Sequence, residues 1–322
     1  MATALEFLKS AGLVPAGASP GVQPLPGGVS SDIWRVTLPG GAVCVKRALP
    51  RLRVAQLWEA PVERNRYERQ WLQAAAHALP GSAPKVLAWD DADGLFAMEC
   101  LDYPVWKSEL AAGRADAAFA AQVGTALGTI HAATAGDRAL AKTFATDAIF
   151  HAIRLEPYLL ATAAKHPAQR ETLERLAQRT ADARQCLVHG DVSPKNILVT
   201  PRGPVFLDAE CAWYGDPAFD LAFCLNHLLL KSAWLPRWRD DFLACFDSLR
   251  SAYLAKVRLP GVEARAATLL PGLLLARVDG KSPVEYLDAR SRESVRRTAL
   301  AILQSAPATL TGLKEQWRRS ST

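Results

Sequence analysis

The chain has 322 residues, of which 50% are hydrophobic and 22% are charged, and its mean hydropathy is +0.02. This balance is typical of a folded soluble protein and excludes one that is mainly disordered. The length predicts a two-lobed globule or two modest domains. No apolar run approaches the ~20 residues that span a bilayer, and Glu6 and Lys9 interrupt the first apolar stretch, so we expect neither membrane insertion nor secretion.

The positive charge is concentrated late in the chain. Residues 231–322 contain 16 lysines and arginines against 9 aspartates and glutamates, a net charge of +7, whereas residues 1–230 contain 22 against 23. This excess indicates either a solvated helical surface or a site for an anionic or neutral ligand. The isoelectric point is about 9.1, but no basic run carries interleaved aromatic residues, so we expect no nucleic-acid partner.

The six cysteines are scattered along the chain, without a Cys-x-x-Cys pair and mostly inside apolar runs. This pattern predicts buried thiols in a reducing compartment, and therefore a cytoplasmic location. A disulfide framework and a structural zinc site are not expected.

The first hundred residues read as a strand-rich region with one main helix. Their alternating apolar runs are separated by turn residues, as in antiparallel hairpins. The predicted elements are a helix at Ala4–Ala11, strands at Ile33–Leu38 and Ala42–Arg47, a helix at Val62–Ala78, and strands at Lys85–Trp89 and Leu95–Cys100.

Beyond residue 104 the apolar spacing becomes that of long helices. The predicted helices cover Ala115–Thr134, Ala148–Lys165, Gln169–Gln185 and Pro217–Lys231, and further helices follow, with breaks near residues 260 and 280. A small hairpin formed by Ile197–Thr200 and Val205–Leu207 interrupts them. The sequence therefore predicts an α+β fold in which the strands lie mainly at the N-terminal end.

The strongest chemical signal is the loop His189-Gly190-Asp191-Val192-Ser193-Pro194-Lys195-Asn196, which is followed by that hairpin and then by Asp208. Asp191 can accept a proton from a substrate hydroxyl. Asn196 and Asp208, on either side of the hairpin, are oxygen ligands of the kind that hold Mg²⁺ against nucleotide phosphates. Each fragment alone could be an ordinary turn, but their joint spacing favours a catalytic site.

These motifs resemble those of the aminoglycoside phosphotransferase and choline kinase superfamily, whose members share the protein-kinase fold. His189-Gly190-Asp191 takes the place of the His-Arg-Asp of the kinase catalytic loop, and Asp208 that of the Asp of Asp-Phe-Gly. The resemblance implies a small β-rich N-lobe at residues 1–101 and a larger, mainly helical C-lobe at residues 102–322. ATP and Mg²⁺ are expected to bind between the lobes.

The resemblance continues through the segment Gly215-Asp216-Pro217-Ala218-Phe219-Asp220-Leu221-Ala222. In this superfamily the second Asp, here Asp220, is expected to brace the catalytic loop, together with His189. Glu210 completes an Asp-x-Glu arrangement similar to that of methylthioribose kinases, which implies a further Mg²⁺ ligand; the alternative is a water-exposed carboxylate. The extra residues Ala48–Val54 also look like that branch.

The N-terminal half supplies the remaining kinase parts by resemblance. Lys46 is expected to reach the α and β phosphates, and Glu68 to be its ion-pair partner, although Glu63 and Glu59 leave the choice open. An exposed lysine on a strand is the alternative for Lys46.

Two backbone segments are expected to hold the nucleotide. The small residues around Ser30 and Ser31 would let N–H groups approach a triphosphate, although the segment departs from the kinase glycine pattern and could be an ordinary turn. Glu99 and Leu101 fall at the hinge whose backbone binds adenine in kinases.

The resemblance implies an ATP-dependent kinase for a hydroxyl of a small molecule. The charge of residues 231–322 favours a neutral or anionic acceptor such as a sugar or hydroxy acid, with Arg277 contacting it; Arg277 could instead be a structural partner of Asp279 or Glu285. The alternatives are an aminoglycoside-type antibiotic kinase and a non-catalytic nucleotide-binding protein. A protein kinase is disfavoured because no Ala-Pro-Glu segment follows Asp208.

Overall fold

The computed structural model describes residues 2–25, 31–51 and 61–320. The N-terminal part is a five-stranded antiparallel sheet in the order β1-β2-β3-β5-β4. One helix precedes the first strand in the chain, and a second helix connects the third strand to the fourth. Its elements are α1 (Ala2–Ser10), β1 (Gly21–Pro24), β2 (Ser31–Leu38), β3 (Gly41–Ala48), α2 (Arg64–Ala78), β4 (Val86–Asp90) and β5 (Leu95–Glu99).

This sheet contains the hairpins that the sequence predicts. It also contains an edge strand, β1, that the sequence analysis did not predict. In the β2–β3 hairpin Ile33 faces Lys46, and on the other side Lys46 faces Phe96 of β5. Lys46 therefore lies on the central strand, where pairing on both sides holds its backbone rigidly.

The remainder of the chain is mainly helical. Its helices are α3 (Trp106–Ala111), α4 (Ala117–Thr134), α5 (Arg138–Thr143), α6 (Asp147–Phe150), α7 (Ala161–Lys165), α8 (Arg170–Asp182), α9 (Pro217–Trp234), α10 (Arg239–Lys256), α11 (Val262–Asp279), α12 (Ala289–Ser305) and α13 (Leu310–Ser320). The two-lobed α+β prediction is thus confirmed. The predicted boundary after residue 101 lies in the connection between β5 and α3.

The predicted helix Ala148–Lys165 is interrupted by a π-helix, His151–Leu160, between α6 and α7. Pro157 lies inside it. Proline has no N–H to donate and its ring crowds the preceding turn, so an ordinary α-helix cannot pass through this position unchanged. The wider turn changes which side chains of this segment face the rest of the lobe.

Two small antiparallel pairs are embedded among the helices. Strand β6 (Cys186–Val188) pairs with β9 (Trp213–Gly215), and β7 (Ile197–Thr200) pairs with β8 (Gly203–Phe206). The sequence predicts the second pair but not the first. The six cysteines are free thiols, as predicted.

The two larger apolar clusters among the described residues stabilise the arrangement. One lies between α1 and the sheet and includes Phe7, Trp34 and Val45. The other fills the helical part and extends to α2, where Trp71 packs edge-on against His189 with 4.6 Å between ring centroids. Helix α2 therefore connects the sheet to the loop that carries Asp191. None of the helices in the described residues combines the length and the apolar character that crossing a membrane requires.

Candidate active site

A cavity of about 600 Å³ lies where the β-rich and helical parts meet. Lys46 and Met98 of the sheet line it from one side, and Asp191, Asn196 and Asp208 line it from the other. Its volume is in the range of small-molecule sites. The fold thus brings Lys46 and the predicted catalytic and metal residues to one place.

The backbone of the loop between β6 and β7 is tightly constrained. Gly190 has a φ of +80°, and a Cβ there would lie 2.6 Å from the carbonyl oxygen of Cys211, so this position requires glycine. His189 accepts a hydrogen bond from the Asp191 N–H at Nδ1 (3.1 Å), which leaves Nε2–H to donate to the carbonyl of Leu207 (3.0 Å). Burial lowers the pKa of His189, so it holds the loop as a neutral imidazole.

Asp220 lies in the first turn of α9 and binds the same loop. Its carboxylate accepts hydrogen bonds from the backbone N–H groups of His189 (2.7 Å) and Gly190 (2.8 Å). His131 Nε2 lies 3.2 Å from this carboxylate, and the hydroxyl of Tyr253 lies 2.8 Å from His131 Nδ1. Three helices, α4, α9 and α10, therefore hold the loop through one buried polar network.

Asp191 is buried and is surrounded by donors. Its Oδ2 lies 2.9 Å from a terminal nitrogen of Arg154, 3.2 Å from Nζ of Lys195 and 2.9 Å from Nδ2 of Asn196. Arg154 also donates from Nε to the carbonyl of Gly190 at 2.5 Å. These contacts orient the carboxyl group and leave Oδ1 out of the network.

Sequence reasoning missed Arg154, which lies on the π-helix outside every motif discussed above. Although burial acts against it, Asp191 raises the pKa of the guanidinium, so Arg154 is permanently charged. A single arginine in the otherwise apolar stretch Ile153–Leu155 is the one signal that could have identified it. Lys195 lies within the catalytic-loop motif, but no role was predicted for it.

Lys46 is almost completely buried and binds two carboxylates. Its Nζ lies 2.8 Å from Oε1 of Glu68 and also contacts Oδ1 of Asp208. Burial opposes its charge, but the two carboxylates outweigh burial and raise the pKa of Lys46. Burial in turn raises the pKa of Glu68 to about 7. Glu63 is exposed at the start of α2, and Glu59 lies outside the described residues, so Glu68 is the partner that the structure places on Lys46.

The predicted metal ligands lie close together, but they are not equivalent. The N–H of Leu207 donates to the carbonyl of Asn196 (2.9 Å), which sets Asn196 beside the segment that leads to Asp208. Glu210 lines the same cavity, but its Oε2 accepts a hydrogen bond from Nε of Arg64 at 3.0 Å. Glu210 is therefore a buried, paired carboxylate and not the water-exposed one considered above.

The donor set fits a metal that is shared with a ligand. The described residues contain no group of three or more His, Cys, Asp or Glu side chains that could hold a metal ion alone. Asn196 and Asp208 supply two hard oxygen donors at the cavity wall. Mg²⁺ is commonly held by one or two such side chains together with substrate phosphates, so this pair fits Mg²⁺ bound with a nucleotide.

Only some of the other residues predicted to bind the nucleotide line the described cavity. Ser31 is buried at the cavity wall, and its hydroxyl has no hydrogen-bonding partner among the described residues. Ser30 lies outside the described residues. Met98 lines the cavity, whereas Glu99 and Leu101, at the end of β5 and just beyond it, are not part of the described lining.

Arg277 lines the opposite end of the cavity, on α11. It binds the carbonyl oxygen and the hydroxyl of Ser282, and lies 3.4 Å from the hydroxyl of Tyr158. Asp279 pairs with an arginine and a histidine of the helical part, and Glu285 pairs with a lysine. Among the described residues, neither of the carboxylates considered as partners therefore binds Arg277.

Residues 21–259 match the model of the phosphotransferase enzyme family known as APH. The chain belongs to this family. It is 27% identical over 224 residues to a methylthioribose kinase of Pectobacterium atrosepticum, an alignment that covers 60% of this chain and 55% of that protein. The chain thus matches about half the length of this curated relative. The predicted resemblance to the superfamily is confirmed.

Solved structures show the same fold. An amicoumacin kinase has a TM-score of 0.57 at 15% identity, with 95% of each chain covered. An aminoglycoside phosphotransferase from Alicyclobacillus acidocaldarius has a TM-score of 0.53 at 17% identity, with 99% of this chain and 96% of that chain covered. At these identities the similarity concerns the fold and not the substrate.

Proposed function

We propose that the protein is an ATP- and Mg²⁺-dependent kinase that transfers the γ-phosphoryl group to a hydroxyl of a small molecule. The observation that carries this proposal is the convergence of Lys46, Asp191, Asn196 and Asp208 on one cavity. Family membership and the kinase relatives support it. One of the solved neighbours is a complex with AMP-PNP and Ca²⁺, which supports a nucleotide and a divalent cation at such a site.

Asp191 is the proposed base. It accepts the proton of the acceptor hydroxyl as the oxygen forms its bond to the γ-phosphorus and the bond to the β-γ bridging oxygen breaks, with ADP leaving. Arg154 and Asn196 hold its carboxylate in place through Oδ2, so that Oδ1 is the oxygen for the proton. Lys195, on the same carboxylate, supplies positive charge beside the transferred group.

Lys46, Asn196 and Asp208 are the proposed phosphate and metal residues. Bound Mg²⁺ would neutralise phosphate charge. Asp208 contacts Lys46 in this structure, so it has to share or exchange this partner when it binds a cation, while Glu68 continues to hold Lys46. The hydroxyl of Ser31, which has no hydrogen-bonding partner among the described residues, is a ready donor to a phosphate oxygen.

The acceptor is proposed to be neutral or anionic. A site for an aminoglycoside has to hold several ammonium groups, which requires carboxylates at the acceptor end. Here that end contains Arg277 and Lys107, and Glu285, the carboxylate that the described residues place there, is already paired with Lys107. A polycationic antibiotic is therefore the weaker alternative.

The test is turnover of ATP with a panel of hydroxylated metabolites, comparing the wild type with Asp191→Asn. The amide keeps the shape of the side chain but cannot accept the proton, so we expect kcat to fall by about 10²- to 10⁴-fold, with nucleotide affinity changed no more than a few-fold. Asp240→Asn, at an exposed position on α10, is the matched control and should be neutral.

Two results would contradict the proposal. Near wild-type turnover by Asp191→Asn would exclude Asp191 as the base. Binding of AMP-PNP without turnover of any acceptor would instead favour the non-catalytic nucleotide-binding alternative.

A further inference from the structure

One face of α9 leads from the catalytic loop into the acceptor end of the cavity. Phe223, His227 and Lys231 follow one another at intervals of four residues, so they lie on the same side of the helix, and all three line the cavity. Asp220, which holds the catalytic loop, is one turn before Phe223. Eleven residues separate Asp220 from Lys231, about 16 Å along the helix axis.

Lys231 is a buried ammonium that donates no hydrogen bond to a neighbouring oxygen of residues 2–25, 31–51 or 61–320. Its exposed fraction is 2%, and its Nζ has no hydrogen-bonding partner within the part of the chain that the structure describes. The ring centroids of Trp234 and Tyr286 lie 4.2 and 4.0 Å from Nζ. Burial lowers the pKa of Lys231 to about 8, and the nearby Lys107 acts in the same direction. The ammonium is therefore still mainly charged at neutral pH.

Other polar atoms around Lys231 also lack partners. Among the described residues, Nε of Arg277, the hydroxyl of Tyr286 and Nε2 of His227 are buried without a hydrogen bond. Buried polar groups are nearly always satisfied in folded proteins, so a local cluster of such atoms requires an explanation. All of these residues line one end of a cavity, so a molecule that binds there is the simplest explanation for the missing hydrogen bonds.

The charge at this end is not compensated. Lys231 and Arg277 carry two positive charges, and the carboxylate of Glu285, which lines the same end, lies 2.7 Å from Nζ of Lys107. The aromatic faces of Trp234 and Tyr286 attract the ammonium but accept none of its N–H groups in an ordinary hydrogen bond. The rings therefore position Lys231, and its hydrogen bonds remain available.

We propose that the acceptor carries an oxyanion, a carboxylate or a phosphate, that binds between Lys231 and Arg277. The hydroxyl of Tyr286 and Nε2 of His227 supply additional polar contacts to this group. The proposal rests on the proposed kinase function and narrows its acceptor to hydroxylated acids or sugar phosphates. A neutral acceptor would leave both charges uncompensated, and a polycation would be repelled.

This subsite is continuous with the base. The guanidinium of Arg154, which binds Asp191, lies 5.8 Å from the ring centroids of both Tyr158 and Phe223. Arg277 lies at the same distance from the ring of Tyr158. One molecule can therefore present a hydroxyl at Asp191 while its oxyanion lies at the far end of the same cavity.

The experiment uses pairs of compounds with the same carbon skeleton, of which one member carries an oxyanion and the other a neutral group at that position. The protein is first saturated with AMP-PNP and Mg²⁺, so that the phosphate-binding end is filled. It is then titrated calorimetrically with D-glycerate and glyceramide, with D-gluconate and D-gluconamide, and with glucitol 6-phosphate and glucitol. We expect an acid or phosphate to bind about 10- to 100-fold more tightly than its neutral partner, the scale of hydrogen bonds to a charged group. The carboxylate and phosphate arms decide which oxyanion is preferred.

The variants test the two cations separately. In Lys231→Met, and independently in Arg277→Gln, the preference for the charged member of each pair should fall by about 10-fold or more, whereas binding of the neutral member should not change. Lys165→Met, at an exposed position on α7, is the matched control and should keep the wild-type preference. Two independent variants keep the test valid if one of them fails to fold.

Each outcome is decisive. A preference for oxyanions that Lys231→Met or Arg277→Gln removes supports the subsite. Equal affinities within every pair, no binding by any charged probe, tighter binding of kanamycin, or a preference that survives both variants would overturn it. Failure of the protein to bind AMP-PNP with Mg²⁺ would count against the kinase function itself, and so the two failures are distinguishable.

Discussion

The two ends of the cavity handle charge in opposite ways. At the nucleotide end each buried cation has a carboxylate partner: Lys46 binds Glu68 and Asp208, and Arg154 binds Asp191. At the acceptor end Lys231 has no acceptor among the described residues, and Arg277 binds only neutral oxygen atoms there. One cavity thus contains a set of neutralised ion pairs and a pair of uncompensated cations.

The difference indicates what each end is built to receive. A buried ion pair stabilises little overall, but loss of one partner leaves an uncompensated charge and costs about 3–5 kcal/mol. The pairs at the nucleotide end therefore hold side chains in fixed orientations. The cations at the acceptor end are already uncompensated, so binding of an oxyanion, and not folding, supplies their partner. Substitutions at the two ends should accordingly have different consequences.

The largest expected effect concerns the metal at the nucleotide end. Asp208→Asn should weaken Mg²⁺-dependent binding of AMP-PNP by about 100-fold or more, since changes outside the immediate ligands of a metal already cost 10- to 100-fold. Glu210→Gln should have a smaller effect, because Arg64 already holds that carboxylate. Calorimetric titrations at several Mg²⁺ concentrations measure both. If the titrations of Asp208→Asn overlay those of the wild type, the metal site has been assigned to the wrong residue.

The second prediction compares the same substitution at the two ends. Lys46→Met should lower the free energy of unfolding by about 3–5 kcal/mol, because it leaves Glu68 and Asp208 without their cation. Lys231→Met removes an ammonium to which the described part of the chain offers no acceptor, so it should leave stability unchanged or raise it. Urea unfolding of the nucleotide-free proteins measures both values.

The pH refines this comparison. Burial raises the pKa of Glu68 to about 7 even though Lys46 beside it acts in the opposite direction. Without Lys46 the pKa of Glu68 rises further, so Glu68 takes up a proton more readily in Lys46→Met, and the loss of stability should be smaller at pH 6 than at pH 8. Equal destabilisation by the two lysine substitutions would remove the distinction between the ends.

The smallest expected effect is the pH dependence of oxyanion binding. The pKa of Lys231 is lowered to about 8 by burial, so affinity for D-gluconate should fall as the pH rises through this value. Binding of D-gluconamide should stay flat between pH 6.5 and 9.5, and Lys231→Met should abolish the dependence. Calorimetric titration across this range measures the effect; an equally steep dependence for the amide would refute the assignment to Lys231.

The neighbouring groups do not titrate in a way that hides this effect. Burial lowers the pKa of His227 well below its ordinary value and raises that of Tyr286, so both stay neutral in this range. Burial acts against the charge of Glu285, but the hydrogen bond from Lys107 lowers the pKa of this carboxyl, which therefore stays ionised. The lowered pKa of Lys231 also affects the stability of the unliganded protein, which should rise with pH whereas the affinity for D-gluconate falls. Between about pH 8 and 10.5 the unfolded chain binds more protons at Lys231, so its titration stabilises the fold as the pH rises.

Sequence reasoning recovered the elements whose signal is local. The hairpin Ile197–Phe206 and the sheet around Lys46 were predicted because alternating apolar residues and turn residues are visible within a few positions. The π-helix was not predicted, because apolar spacing cannot distinguish a continuous α-helix from one whose register shifts at Pro157. The pairing of β6 with β9 was missed for another reason: three-residue strands far apart in sequence carry no periodic signal.

The sequence by itself determined the catalytic loop, because Asp191, Asn196 and Asp208 lie within 18 residues of one another and a single hairpin dictates their separation. Only the tertiary structure decided the choice of Glu68 over Glu63 for Lys46, the contact of Arg154 with Asp191, and the burial of Lys231 at the wall of the cavity that Arg277 also lines. Each of these depends on residues 22 to 46 positions apart that meet through packing of separate elements. The energy of such a charge depends on its burial and on its neighbours, and neither can be read from local sequence.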